Sequence, residues 1–249
     1  MSMNHVIRKH VKNIERISMN TSIKKAATQL QRADAILISA SNGLSIAEGY
    51  HIFADNDDFK KYFADFRTKY SINCLIRGVF APLPPAEHER YMKTVHRYLI
   101  DDYHGSDIMK SLQKLIDDKP YFIVTSNADT HFQMNGFDEE RIFEVEGNFD
   151  GMSEGSSQWK GQQERFQSFI EEYASKNLVV FELGIGAGNR LIKAPLMDLV
   201  AQCANWKFIT LNLAQEINVP DRIESRSTAL AGDISETFTA LLREQTREA

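Results

Sequence analysis

The 249 residues are 43% hydrophobic and 25% charged with a formal net charge of -5, values that exclude a fibrous repeat, a disordered chain and a basic nucleic-acid binder. Two cysteines, Cys74 and Cys203, exclude a disulfide framework and offer no zinc-ligand spacing, so no metal is expected and both are read as reduced packing thiols. No apolar stretch reaches the roughly 20 residues that span a bilayer, and the opening residues lack the apolar core of a secretory signal, so a cytoplasmic protein without a membrane partner is expected.

In chain order, Ile7, Val11, Ile14 and Ile17 fall near helical spacing, with Arg8, Lys9, Lys12 and Arg16 read as a solvated basic face. A second helix follows with Ile23, Ala26, Ala27 and Leu30 on one side. The period then changes: Ala35 to Ile38 is a short continuous apolar run, the mark of a strand buried on both faces. Similar runs recur at Tyr121 to Val124, Ile142 to Val145, Leu178 to Leu183 and Phe208 to Leu211. Helical patterns accompany them at Ile108, Leu112, Leu115 and Ile116 and at Leu196, Leu199, Val200 and Cys203. Asp233, with Glu236 three residues later, starts a closing helix that buries Ile234, Phe238, Leu241 and Leu242. The alternation predicts an α/β fold, a Rossmann-like parallel sheet with helices on both faces.

Two segments break the alternation. From about Tyr50 to Leu99 the chain is rich in aromatics, with Phe59, Tyr62, Phe63 and Phe66 at i, i+3, i+4, i+7. That stripe suits a satellite core, with a substrate-facing groove as the alternative. The stretch GNFDGMSEGSSQWKG from Gly147 to Gly161 has the glycine and serine content of a movable lid. The expected organisation is one unit over 1–249: a core of about 20–49, 105–146 and 177–245, and a small, mostly helical subdomain of about 50–104 and 147–176.

Parallel α/β sheets bind ligands at the carboxyl ends of their strands. The predicted strands end in Ser41-Asn42-Gly43-Leu44-Ser45, Thr125-Ser126-Asn127-Ala128-Asp129, Glu146-Gly147-Asn148, Gly184-Ile185-Gly186-Ala187-Gly188-Asn189, and Asn212. So many hydroxyls, amides and glycines in register imply a polar ligand in close backbone contact. Neither glycine loop has the G-x-G-x-x-G spacing of a dehydrogenase. His51, His88, His96, His104 and His131 are scattered and read as surface or packing residues, with His131 near enough to Asp129 to enter a pocket.

The order of these loops resembles the sirtuins, whose first loop reads G-A-G-[IL]-S-x-x-[SA]-G, whose second reads T-Q-N-x-D and whose third reads H-G-[SN]. SNGLSIAEG keeps Gly43, Ser45 and Gly49, with Ser41 and Asn42 for the first glycine and alanine; TSNADTHFQMNGF keeps Asn127, Asp129, Gln133 and Gly136. ELGIGAGN looks like a bacterial branch related to the macrodomain-linked sirtuins, and the resemblance runs from about residue 24 to 242. It implies NAD, with the pyrophosphate near the Gly43 and Ser45 amides and close to Ser41, Asn42 and Ser126. It also implies Asn127 at the nicotinamide ribose, Asp129 on the carboxamide, and Gly184, Gly186 and Asn212 on the adenosine side.

Where sirtuins carry a catalytic His this chain has Glu146, and the zinc cysteines are missing. An imidazole titrates near pH 6.5 and a free glutamate near about 4.3. A carboxylate in that place suits nicotinamide release, with ADP-ribose passed to a protein or to water, because it stabilises positive charge building on the sugar. The expected activity is therefore a sirtuin-type ADP-ribosyltransferase with Asn127, Asp129 and Glu146 as its catalytic residues. Its acceptor, by the same resemblance, is a protein such as a lipoylated carrier. A non-catalytic NAD or ADP-ribose sensor with a decayed site, and an NAD-dependent deacylase, stand as alternatives.

Overall fold

The computed structural model describes residues 19–248. The expected helix through Ile7 to Ile17 and its basic face lie outside the described residues. Helix α1 (19–32) leads into β1 (Ala35–Ala40), which delivers the chain to α2 (Asn42–Ala47). An insert then runs through α3 (Asp57–Tyr70), α4 (Leu75–Val79), α5 (Pro85–His96) and a π-helical turn at Arg97–Asp101. The alternation resumes with α6 (Asp107–Ile116), β2 (Tyr121–Thr125), α7 (His131–Met134), β3 (Ile142–Glu144), α8 (Ser157–Tyr173) and β4 (Leu178–Leu183). It ends with α9 (Lys193–Gln202), β5 (Lys207–Asn212), α10 (Asp221–Glu224), β6 (Ser227–Ala231) and α11 (Ile234–Glu248).

The strands form one sheet in the order β3-β2-β1-β4-β5-β6, every pair parallel. The chain reverses direction across the sheet between β1 and β4, and the crevice beyond those carboxyl ends is where such sheets take ligands. Alternation along the strands divides the core in two. Ile36, Ile38, Ile123, Phe181 and Ile209 face α1, α6 and α11, whereas Leu37, Phe122, Val180 and Phe208 face α8 and α9. At about 25 cal/mol per Å² of apolar surface, these two layers are the main source of stability. The cap at Asp233 is as expected: its Oδ1 accepts the Glu236 N–H at 2.9 Å.

Three features differ from the sequence reading. Strand β6 was not anticipated, because STALA lacks the bulky β-branched run of the others and its edge position leaves Ala229 exposed. Helix α8 does not join the insert: Trp159, Phe166 and Phe169 pack on the sheet beside Phe122 and Phe143, and from the 147–176 stretch Phe149 is what packs on the aromatic cluster. Nor is the Gly/Ser stretch built as a free lid. Its last residues open α8, capped by Ser156 Oγ accepting the Trp159 N–H at 3.2 Å.

The aromatic stripe forms a satellite core. Phe59, Phe63 and Phe66 are buried with Tyr91, Val95, Tyr98 and Leu99 in a cluster distinct from the two sheet layers. Gly78 admits the Tyr91 ring against its Cα, and the Tyr91 hydroxyl donates to the Leu75 carbonyl at 2.7 Å.

Candidate functional site

The loops after β1, β2 and β3 and the insert enclose a cavity of about 530 Å³. From the sheet side come Asn42, Ser45, Ser126, Asn127, Asp129, Glu146 and Asn148; from the insert come Ile52, Phe53, Ile76, Val79 and Phe80. Tyr50, Leu99, Ala128, Phe149 and Glu154 complete the wall. Three carboxylates therefore line the cavity, and among the described residues no Lys, Arg or His does.

The second loop is held rigidly. Asn127 donates its backbone N–H to Thr125 Oγ1 at 3.0 Å and its Nδ2 to the Ser41 carbonyl at 3.3 Å. Its Oδ1 is buried and accepts no hydrogen bond from the described residues. An acceptor stranded in this way costs about 1–3 kcal/mol, so it fits a ligand that brings an O–H or N–H to the site. Asp129 Oδ2 accepts from Ser45 Oγ at 2.8 Å and Oδ1 from the His131 N–H at 3.1 Å, which fixes the carboxylate and leaves each oxygen a lone pair. Ser126 Oγ donates to Ser41 Oγ at 2.9 Å, joining the first two loops.

His131 lies beneath this cavity and does not line it. Fully buried, it stacks on Tyr103 with ring centroids 3.8 Å apart and meets Tyr50 edge-on. Nδ1 faces Glu48 Oε2 at 3.2 Å and Nε2 faces the Leu99 carbonyl at 2.9 Å. Both neighbours offer acceptors, an arrangement that favours the doubly protonated ring. Burial pulls its pKa down, but the Glu48 hydrogen bond and the charges of Asp129 and Glu48 outweigh burial and raise it. The π-helical turn presents that Leu99 carbonyl, so α2, the insert and the second loop meet on one imidazolium.

Glu146 stands at the cavity rim. Partial loss of hydration, then the negative charge of Glu154, hold its pKa above the ordinary glutamate value. Its loop is pinned from both sides. Gly147, at φ +77°, lies so close to Met152 that a Cβ would be 2.4 Å from the Met152 carbonyl oxygen. The Asn148 N–H donates to that oxygen at 2.9 Å, and the Phe149 N–H to Ala128 at 2.8 Å. Asn148 Nδ2 donates at 2.9 Å to Glu144 Oε2, a buried carboxyl whose pKa burial raises.

Gly43 has a different task from the one expected. Its N–H donates to the Gly184 carbonyl at 3.0 Å, and a Cβ would lie 2.4 Å from Gly184 Cα. The residue lets the loops after β1 and β4 touch, and its amide is engaged there and not turned to a phosphate. Gly184, Gly186 and Asn212 stand outside the cavity. Asn212 Nδ2 donates to the Ile185 carbonyl at 2.8 Å, so its amide shapes the fourth loop. Below that loop Lys193 Nζ, fully buried, meets Glu182 Oε2 at 3.1 Å and the Ile185 and Glu216 carbonyls at 3.0 and 3.1 Å. Glu182 also accepts from Thr210 Oγ1 and from the Ile185 N–H.

The structure thus gathers Asn42, Ser45, Ser126, Asn127, Asp129 and Glu146 around one cavity and leaves Ser41, Gly43, Gly184, Gly186 and Asn212 as its scaffold or flank. Phe53, Glu154 and Glu48 were missed, and His131, expected near enough to Asp129 to enter the pocket, is instead buried against Glu48 outside its lining. None ends a strand or follows a periodic pattern, and Glu154 was passed over as part of a Gly/Ser stretch.

No family model matches the chain. A protein ADP-ribosyltransferase from Staphylococcus aureus is 22% identical over 87% of this chain and 85% of its own length. A probable bifunctional ADP-ribose hydrolase/ADP-ribosyltransferase from Fusarium oxysporum is 25% identical over 94% of this chain, which spans 50% of that relative. Among solved structures, a Sir2 homologue in complex with NAD aligns with a TM-score of 0.58 at 12% identity, over 90% of this chain and 94% of that one. A Sir2 enzyme solved in a study of mechanism and regulation aligns at 0.57 and 17%, over 92% and 99%. The fold is that of the sirtuins.

Proposed function

From this sirtuin-like fold and its two ADP-ribosyltransferase relatives, we propose that the chain is an NAD-dependent protein ADP-ribosyltransferase. The observation that carries the reading is the cavity: Asp129, Glu146 and Glu154, with no cationic side chain among the described residues, around the stranded Asn127 Oδ1. Such a wall suits the cationic nicotinamide end of the dinucleotide and repels its pyrophosphate, which is left to the Ser41, Asn42, Ser45 and Ser126 side. The adenosine then lies toward the loops of Gly184, Gly186 and Asn212. When bound, NAD supplies the ADP-ribosyl group, with nicotinamide as the leaving group.

Asn127 accepts a ribose hydroxyl proton on Oδ1, and Asp129, fixed by Ser45 and the His131 amide, accepts from the carboxamide N–H₂. Glu146 opposes the positive charge that builds on the sugar and, with its raised pKa, is suited to receive a proton from the incoming acceptor. The insert contributes an apolar wall, Ile52, Phe53, Ile76, Val79 and Phe80. That wall fits a hydrocarbon arm, which makes a lipoylated carrier protein our candidate acceptor. No described helix is long and apolar enough to cross a membrane, and we assign the protein to the cytoplasm.

The test is nicotinamide release from NAD, measured with and without a lipoylated carrier and with an acetylated peptide. Carrier-stimulated release that falls by about 10²-fold or more in Glu146→Gln is the expected result. Release untouched by that substitution removes Glu146 from the chemistry. NAD binding without release makes the protein a sensor, and stimulation by the acetylated peptide alone makes it a deacylase.

A further inference from the structure

We propose that Glu154 is a second carboxylate of the reaction and that Glu146 and Glu154 together hold the proton taken from the acceptor. The inference rests on the reading of the cavity given above. Its basis is the architecture of the loop between β3 and α8. Gly147 presses on Met152 and Glu154, and a Cβ there would stand 2.4 Å from Met152 O and 3.2 Å from Glu154 N. Asn148 closes the turn from inside, its Oδ1 accepting the Asp150 and Met152 N–H groups at 3.1 and 3.0 Å while its N–H reaches Met152 O. The chain therefore leaves the cavity rim at Glu146 and returns to it at Glu154, and both side chains line the same space.

The other groups facing that space add no compensating charge. The loop after β1 brings Tyr50, the loop after β2 brings Asp129, and α4 and the Leu99 turn bring apolar side chains. Both carboxylates open on one space with no cation lining it among the described residues, so the charge of Glu154 bears on Glu146. The direction of the Glu146 pKa agrees: raised first by burial and then by the Glu154 charge. The proton balance supplies the role. Transfer to a hydroxyl or to water breaks the bond to nicotinamide, which leaves with the bonding pair, and forms a bond to the acceptor oxygen. That oxygen loses one proton for each nicotinamide released. The pair at the rim, where an acceptor enters, is the base that takes it.

The experiment reads the free protein and the enzyme separately. Carbon-13 glutamate labelling gives the Glu146 carboxyl titration in the absence of NAD, with Glu146→Gln assigning the resonance. In Glu154→Gln the Glu146 midpoint is expected to fall toward the ordinary glutamate value, and Glu154→Asp is expected to restore most of the shift. The acidic limb of nicotinamide release should move downward in step. An unmoved Glu146 midpoint in a folded Glu154→Gln protein overturns the pair, even where activity is lost. Absence of nicotinamide release by the wild type overturns the transferase reading instead, and leaves the titration to judge the pair by itself.

Discussion

At Gly43 any side chain meets the backbone of Gly184, which is itself at φ +66° and can yield only by moving the β4 loop. Gly43→Ala is therefore expected to cost about 1–3 kcal/mol. Urea denaturation measures this, and an unchanged midpoint would mean that the two loops do not need their contact. The residue stood out in the sequence because an apolar run ends there in small side chains, but the reason for it lies in a segment far along the chain. Asn127, Asp129 and Glu146 were legible for a simpler reason: each closes or follows a strand, and strand ends converge. Asn212 shares that position without reaching the cavity, because its amide is used on Ile185.

Elements were legible where burial is two-sided or strictly periodic. β1 and β4, buried at every residue, read as continuous apolar runs, and α6 buries Ile108, Leu112, Leu115 and Ile116 as its spacing requires. The junction between elements was not legible, because it depends on single polar contacts. His131 ties α2, the π-helical turn and α7 through Glu48 and the Leu99 carbonyl. Its raised folded pKa sets the sign of a pH effect. The stabilisation is fully present below the unfolded value of about 6.5 and is lost as pH rises through the folded value. Thermal stability should accordingly decline from neutral into alkaline pH, and His131→Gln should remove that slope. The buried carboxyls Glu144 and Glu182, also raised by burial, lose their contribution in the same direction, as pH rises from the ordinary glutamate range. The His131→Gln comparison separates the imidazole from these carboxyls and from the buried tyrosines, whose raised pKa values act at higher pH, and a slope that survives the substitution would assign it elsewhere.

At the scale of the molecule, the cavity is roofed by one core and floored by another. Asn127, Asp129 and Glu146 belong to the sheet, whereas Ile52, Phe53, Ile76, Val79 and Phe80 belong to the insert, whose aromatic cluster packs apart from both sheet layers. Regions with separate cores open separately, at free energies below that of global unfolding. Phe63→Ala removes a fully buried ring that stacks on Phe59 at 5.0 Å and packs beside Tyr91 at 4.9 Å. At about 3–5 kcal/mol for such a truncation, the loss should fall on the insert alone. Hydrogen exchange read by mass spectrometry is expected to show protection lost across 50–104 while β1, β4 and β5 keep theirs. Nicotinamide release should fall with it, because the apolar wall would be disordered while Asn127, Asp129 and Glu146 stay in place. Protection lost equally from insert and sheet would mean that the two cores unfold as one, and that the roof has no freedom to move over the floor.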